Sequence, residues 1–113
     1  MQKITFTILV LLFLLPLKTW AKGSIGMGAD VSVDGIFSPE VVEFKVKSVV
    51  EGSAADKAGV TVGQLVIAID GCKIPGCSTS KAQDLMDKET GDILPLLIRN
   101  KDGSEQLLTI HVE

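Results

Sequence analysis

The chain has 113 residues, a length that accommodates one modest domain, and its formal net charge is −3. This acidic balance, with no tyrosine and a single tryptophan, argues against a nucleic-acid surface or a preference for anionic membranes. One histidine and two cysteines are also too few to build a closed zinc site, which takes four ligands, so we expect no metal.

The first 21 residues have the three-part pattern of a secretory signal peptide. Lys3 precedes an apolar run over residues 4–15, and small residues stand at the minus-three and minus-one positions of a cleavage site after Ala21. The run is too short to span a membrane, which takes about 20 apolar residues. We therefore predict a signal peptide over 1–21, a single domain over 22–113 without a stable membrane anchor, and a periplasmic or secreted location, most simply in a bacterial envelope.

Cleavage also changes the charge of the chain. It removes Lys3 and Lys18 from the 11 basic residues and none of the 14 acids, which leaves a net charge of −5 on 92 residues.

Two strands are predicted next. Over residues 25–34 apolar side chains alternate with small or polar ones, which gives a strand with one apolar face. Glycine inside a strand often marks the close approach of another backbone, so the absence of side chains at Gly26 and Gly28 is expected to leave this strand open to a ligand. The second strand runs over 41–50, and its polar face is expected to be exposed to solvent, as is typical of an antiparallel sheet. Its predicted inward residues are Val42, Phe44, Val46 and Val50.

A short helix of about two turns and a buried strand follow. Ser53 is a good N-cap residue, and Asp56 can bond back to the start of the helix. Gly59 lies where a left-handed C-cap is expected. The apolar run over 65–69, ended by a turn at Asp70, suits a strand that is covered on both faces.

Cys72 and Cys77 flank a Pro-Gly turn. In an exported chain this arrangement favours a structural disulfide, which stabilises the fold by about 2 kcal/mol on a chain-entropy argument. Two free thiols or a redox pair are the alternatives, although the spacing is not that of a C-x-x-C motif.

The last third of the chain predicts a second helix over 78–88 and a closing hairpin. Ala82, Leu85 and Met86 form a narrow apolar stripe on that helix at positions i, i+3 and i+4. Pro95 marks the segment 93–98 as an edge or bulged strand. A turn and an alternating final strand complete the chain, over residues 100–103 and 106–112.

The helix and strand over 51–71 resemble the PDZ-domain signature, a Gly-Ser-Pro-Ala helix that leads into Gly-Asp-x-Ile-x-x-Ile-Asn-Gly. The chain departs from it in having Ala54 for proline and Gln64 for aspartate. The order of elements over 24–112 is most similar to PDZ domains of bacterial periplasmic trypsin-like serine proteases and tail-specific proteases. The resemblance implies an α+β, mainly β fold, a five- to six-stranded antiparallel, partly open barrel or sandwich capped by two helices.

The resemblance also implies a groove for an extended peptide. The segment 24–27 matches the loop whose backbone N–H groups hold a peptide's terminal carboxylate, and the second helix forms the opposite wall. A plain N-terminal strand is the alternative interpretation, and the helix register leaves open Ser78 or Thr79, and Leu85 or Met86. The implied peptide-binding residues are Ser24, Ile25, Gly26, Met27, Gly28, Ala29, Thr79, Ala82, Leu85 and Met86.

The residues do not predict catalysis. A Ser-His-Asp triad needs a positioned histidine, and the only one, His111, points outward on the predicted last strand. A Ser–Lys pair needs a desolvated lysine, whereas Lys57, Lys81 and Lys88 fall on exposed helices. We expect neither enzymatic activity nor a cofactor.

Two functions remain as hypotheses. The first is an exported peptide-binding adaptor or regulator, whose partner is the C-terminus of a protein or peptide, such as a protease or envelope protein. The second is a structural or assembly module of an envelope complex that docks a partner without recognising a C-terminal peptide. Neither involves nucleic acid.

Overall fold

The computed structural model describes residues 23–113, so the predicted signal peptide lies outside the described residues. In this part of the chain, one antiparallel sheet of seven strands is accompanied by two helices, which confirms the predicted mainly β, PDZ-like class. The strands are β1 Met27–Asp34, β2 Glu40–Val49, β3 Leu65–Ile69, β4 Cys72–Lys73, β5 Cys77–Ser78, β6 Ile93–Arg99 and β7 Glu105–His111. The helices are α1 Ala54–Ala58 and α2 Thr79–Met86.

The sheet runs in the order β1-β2-β3-β6-β7, so β1 and β7 each have one neighbour on this path. The short strand β4 pairs with β3, and β5 pairs with β2. Between residues 23 and 113, neither helix is long and apolar enough to cross a membrane.

Helix α1 is bounded by the predicted caps. The Ser53 hydroxyl accepts from the Asp56 N–H at 3.3 Å, and the Asp56 carboxylate accepts from the Gly52 N–H at 2.9 Å. Gly59 has φ +96° and closes the helix in the left-handed conformation that glycine adopts without strain. The helix has five residues, which is shorter than the expected two turns.

The predicted inward face of β2 is wrong at both ends, because β2 carries two irregularities in its pairing with β1. Val42 has no partner between the pairs Ser32–Glu43 and Val33–Val41, and a second shift falls at Lys47. An extra residue in one strand reverses which side chains face inward. Val41 is therefore buried with Phe44 and Val46, whereas Val42 and Val50 are exposed.

A further shift in the pairing of β3 with β6 skips Ile67, so that the consecutive residues Ala68 and Ile69 are both buried. The second face of β3 is only half covered, since Leu65 and Ile67 remain half-buried. The side chains that are most fully buried in the core are Ile69, Leu94, Leu96, Ile98, Ile110, Val46, Val60 and Val66.

The expectation that Pro95 makes the segment 93–98 an edge or bulged strand is wrong. The extra residue in the β3–β6 pairing is Ile67 of β3, and β6 itself is neither bulged nor at an edge. It lies between β3 and β7. The sheet tolerates Pro95 there because the last β3–β6 pair is Ile69–Leu96, one residue away, so β3 does not require a donor at Pro95. The Pro95 carbonyl accepts from the Asp70 N–H at 2.8 Å instead.

Candidate functional site

Strand β1 presents an open edge. The Val50 N–H donates to the Gly26 carbonyl at 2.8 Å, and the next pair along the ladder is Met27 opposite Val49. In an antiparallel ladder the pair beside a hydrogen-bonded one directs its own N–H and C=O away from the partner strand. The backbone groups of Met27 therefore face away from β2, toward the side of β1 on which the described chain places no strand.

The two residues before β1 add further backbone donors. Ile25 and Gly26 lie outside the strands, and no backbone carbonyl within residues 23–113 accepts from their N–H groups. The Ile25 carbonyl, in contrast, accepts from the Ala55 N–H at 2.9 Å. Within residues 23–113, three successive N–H groups, from Ile25 to Met27, thus have no backbone acceptor, and such a run of donors suits a carboxylate.

Ser24 lacks this freedom. Its N–H donates to the Glu113 carbonyl at 2.6 Å, and its own carbonyl accepts from the Glu113 N–H at 3.2 Å. The Gly23 N–H donates to the Lys88 carbonyl at 3.1 Å. These bonds fix the start of the loop against the chain's last residue and the end of α2. Sequence reasoning missed Glu113 and Lys88, because no local pattern signals such distant pairings.

The glycines of the loop do not have the expected role. A Cβ on Gly26 would stand 2.2 Å from the Ser53 Cβ, and one on Gly28 would stand 2.4 Å from the Ser48 hydroxyl oxygen. The missing side chains therefore make room for Ser53 and Ser48 of the same chain, and not for a ligand.

The two hydroxyl residues at the start of helix α2, Ser78 and Thr79, have different roles. The Ser78 hydroxyl is the N-cap and accepts from the Lys81 N–H at 3.3 Å. Thr79 is the first helical residue and is half-buried. Of the two candidates for the start of the helix, Thr79 is therefore the one whose hydroxyl is not used as the cap.

The apolar stripe of α2 and the apolar side chains of β1 share one core. Ala82 is buried, whereas Leu85 and Met86 are both half-buried against the core. On the β1 side, Ile25, Met27 and Ala29 pack against the same core and are also half-buried. Predicted site residues of both walls thus pack against the same core cluster.

The disulfide between Cys72 and Cys77 is confirmed, with the two Cα atoms 5.4 Å apart. It joins β4 to β5, and β5 runs directly into the Ser78 cap of α2. The bond therefore holds the strand from which the helical wall of the site begins. A disulfide also favours an oxidising compartment outside the cytoplasm.

Two of the lysines considered above form ion pairs, and the histidine is exposed. Lys57 is paired with Glu113 at 2.7 Å, Lys88 with Asp70 at 3.8 Å, and His111 is exposed. Among residues 23–113 no group of three or more His, Cys, Asp or Glu side chains could hold a metal ion.

One carboxyl group has a perturbed acidity. The pKa of Asp102 is lowered because the Ser104 hydroxyl and the Ser104 N–H donate to its carboxylate, at 2.6 and 2.9 Å. This carboxylate belongs to the turn between β6 and β7, where it organises the hairpin.

Among the described residues, an antiparallel sheet with an open edge strand, backbone N–H groups without an acceptor at its start and a helix on the same core are features suited to strand addition. Residues 45–100 match the family model described as PDZ domain. The chain belongs to the PDZ-domain family, whose domain is a non-catalytic module.

The chain is also similar to one curated protein and to one solved structure. Carboxyl-terminal-processing peptidase 3, chloroplastic, from Arabidopsis thaliana is 28% identical over 90 residues, which cover 77% of this chain and 17% of that protein. The solved structure of the photosystem II D1 C-terminal processing protease superimposes with a TM-score of 0.61 at 19% identity, over 91% of this chain and 26% of that chain, and shares the fold. The chain thus spans about a sixth of the length of the curated relative.

Proposed function

We propose that this domain binds the C-terminus of an extended peptide as an additional strand beside β1. The observation that carries the proposal is the run of three N–H groups from Ile25 to Met27, which have no backbone acceptor among the described residues and lead into an open strand edge. The peptide's terminal carboxylate accepts from these groups, and its backbone continues along β1 by strand addition.

The half-buried side chains on either side supply the apolar part of the site. The last side chain of the peptide packs between Ile25 and Met27 on one wall and Leu85 and Met86 on the other. An apolar terminal residue is therefore preferred, because these side chains can only offer apolar contact.

The biological role that we infer is that of an exported adaptor or regulator. The predicted signal peptide and the disulfide both favour an oxidising compartment. The names of the two relatives describe proteins that process carboxyl termini, and a domain that captures a C-terminus suits a regulator of such a protease or an envelope protein that carries the tail.

The proposal is tested with pairs of peptides that end in an apolar residue and differ only in a free or an amidated C-terminus. We expect saturable binding of the free acid by isothermal calorimetry and binding of the amide weaker by at least about tenfold, since the carboxylate contributes charge-assisted hydrogen bonds. Equal binding of both forms contradicts the carboxylate site. If neither form binds but a partner protein co-purifies, the assembly-module hypothesis replaces this one.

A pair of variants on α2 tests the apolar wall. Met86→Glu places a charge against the terminal side chain and is expected to weaken binding by at least about tenfold. Gln83→Glu adds the same charge at an exposed position of the same helix and serves as the matched control. Equal effects of the two changes assign the loss to net charge, and the assignment of Met86 to the apolar wall is then wrong.

A further inference from the structure

The turn between β1 and β2 carries an apolar tip. Every residue over 31–40 is exposed. At the tip, Ile36 and Phe37 are 91% and 97% exposed. Two adjacent large apolar side chains in water are unfavourable, and a patch of this kind typically marks an interaction site. We call Ile36 and Phe37 the hairpin tip.

A depression of about 670 Å³ lies on a different part of the described surface. Strands β3, β6 and β7 and the disulfide loop form its walls. Its apolar lining is supplied mainly by Ile67, Ile74, Pro75, Pro95, Leu97 and Leu107. This volume is within the range that accommodates a compact apolar group.

The charges around the two features are complementary. Asp34 and Glu40 flank the hairpin tip, and neither forms an ion pair with another described residue. Lys73 lines the depression and is likewise without an ion pair in the described chain, while Arg99 at its border is paired with Glu105 at 3.1 Å. An acidic, apolar-tipped hairpin therefore matches a depression that has a cation on its border.

The hairpin and the depression lie on adjoining parts of the chain. The Gly76 N–H donates to the Val41 carbonyl at 3.1 Å, and the Thr79 N–H donates to the Pro39 carbonyl at 3.0 Å. Pro75, in the wall of the depression, is thus one residue from Gly76, which bonds β2 at the end nearest the hairpin turn. When two complementary patches lie side by side on one chain, a two-fold axis can bring the first patch of each copy against the second patch of the other copy.

We propose that the occupant of the depression is a second copy of this chain, and that two copies dimerise by placing the hairpin tip of each in the depression of the other. An anionic lipid surface is the alternative partner of the hairpin tip, and the acidic residues beside the tip disfavour it. The interface is separate from the three N–H donors of the peptide site, so dimerisation and peptide binding can be tested independently.

The test is sedimentation velocity on the chain expressed from its full coding sequence, over a range of concentrations. The wild type is expected to dimerise. Changing Ile36 and Phe37 together to serine raises the dimer dissociation constant by at least about tenfold, and so does Leu107→Asp in the depression. Both sites are highly exposed, so folding is retained, which circular dichroism verifies. Val62→Ser, at an exposed valine outside both features, is the matched control and leaves the dimer intact.

Mixing the two kinds of variant makes the test sharper. The depression of the tip variant is intact, and so is the tip of the Leu107→Asp variant, so the mixture recovers part of the association that each has lost alone. A wild type that stays monomeric at every concentration overturns the proposal, as does a dimer that the tip and depression changes leave unaffected. A monomer that co-sediments with phosphatidylcholine vesicles only while Ile36 and Phe37 are present assigns the tip to a membrane surface instead.

Discussion

Gly26 lies directly against Ser53, so that a Cβ on Gly26 would stand 2.2 Å from the Ser53 Cβ. The Ser53 hydroxyl is also 3.4 Å from the Gly26 carbonyl oxygen, which it can reach as a donor. The residue that caps α1 therefore supports the loop that supplies the proposed carboxylate donors. The family signature around Ser53 and the binding loop are thus linked by direct contact.

This contact predicts a large cost for Gly26→Ala. The change combines a left-handed φ of +76° with a clash against Ser53, and we expect a loss of about 3 kcal/mol of unfolding free energy, measured by urea denaturation.

Gly52→Ala provides the matched control, because Gly52 has φ +77° but no atom within 4 Å of its added Cβ. It should lose only about 1 kcal/mol, the cost of the backbone conformation. Similar losses for the two variants would show that contact with Ser53 does not matter. Loss of peptide binding in a Gly26 variant cannot be assigned to the carboxylate site, since the loop itself is disturbed.

The disulfide predicts a modest stabilisation of the domain. Changing Cys72 and Cys77 to serine should lower the unfolding free energy by about 2 kcal/mol, because the bond closes a short loop in the unfolded chain. Urea denaturation of the wild type with and without reductant provides the comparison. If reduction has no effect on the wild type, the bond does not constrain the unfolded state in this way.

The buried Gln64 predicts a second measurable contribution. Its carbonyl oxygen accepts from the Thr61 N–H at 2.9 Å, and its amide nitrogen donates to the Asn100 side chain at 2.9 Å. Gln64→Leu removes both bonds at a site that is 5% exposed, and we expect a loss of about 2 kcal/mol in urea denaturation. Gln106→Leu, at an exposed glutamine that also bonds Asn100, should change stability by less than about 0.5 kcal/mol. Equal losses would contradict the role of burial.

Gln64 stands where the PDZ signature usually has aspartate, and the structure indicates what the longer side chain does. It bridges the turn before β3 to Asn100 at the end of β6, through the two hydrogen bonds described above. An aspartate is one methylene shorter and cannot donate, so the bond to Asn100 depends on the residue that departs from the signature.

The sequence predicts those features that depend on local chemistry. The caps at Ser53 and Gly59, the strand Leu65–Ile69 and the turn at Asp70, with φ +46°, follow from residue types with strong conformational preferences. The outward-facing His111 likewise follows from alternation along the last strand.

Features that depend on pairing between distant residues were not predicted correctly. The inward face of β2 depends on bulges at Val42 and Lys47, which arise only when β2 is matched to β1. β6 can lie inside the sheet because Pro95 stands one residue beyond the last β3–β6 pair, where β3 needs no donor from it. Gly26 fits the expected loop, but its reason is the approach of Ser53, which lies 27 residues away along the chain.

The measurement that tests the central claim most directly is NMR titration of the 15N-labelled domain with a free-acid peptide that ends in an apolar residue. We predict that the amide signals of Ile25, Gly26 and Met27 shift saturably, and that their hydrogen exchange slows as the three N–H groups become bonded. The amidated peptide should leave the Ile25 and Gly26 signals close to their free positions. Saturable shifts elsewhere in the domain, with these three amides unchanged, would contradict the binding of a C-terminus at the edge of β1.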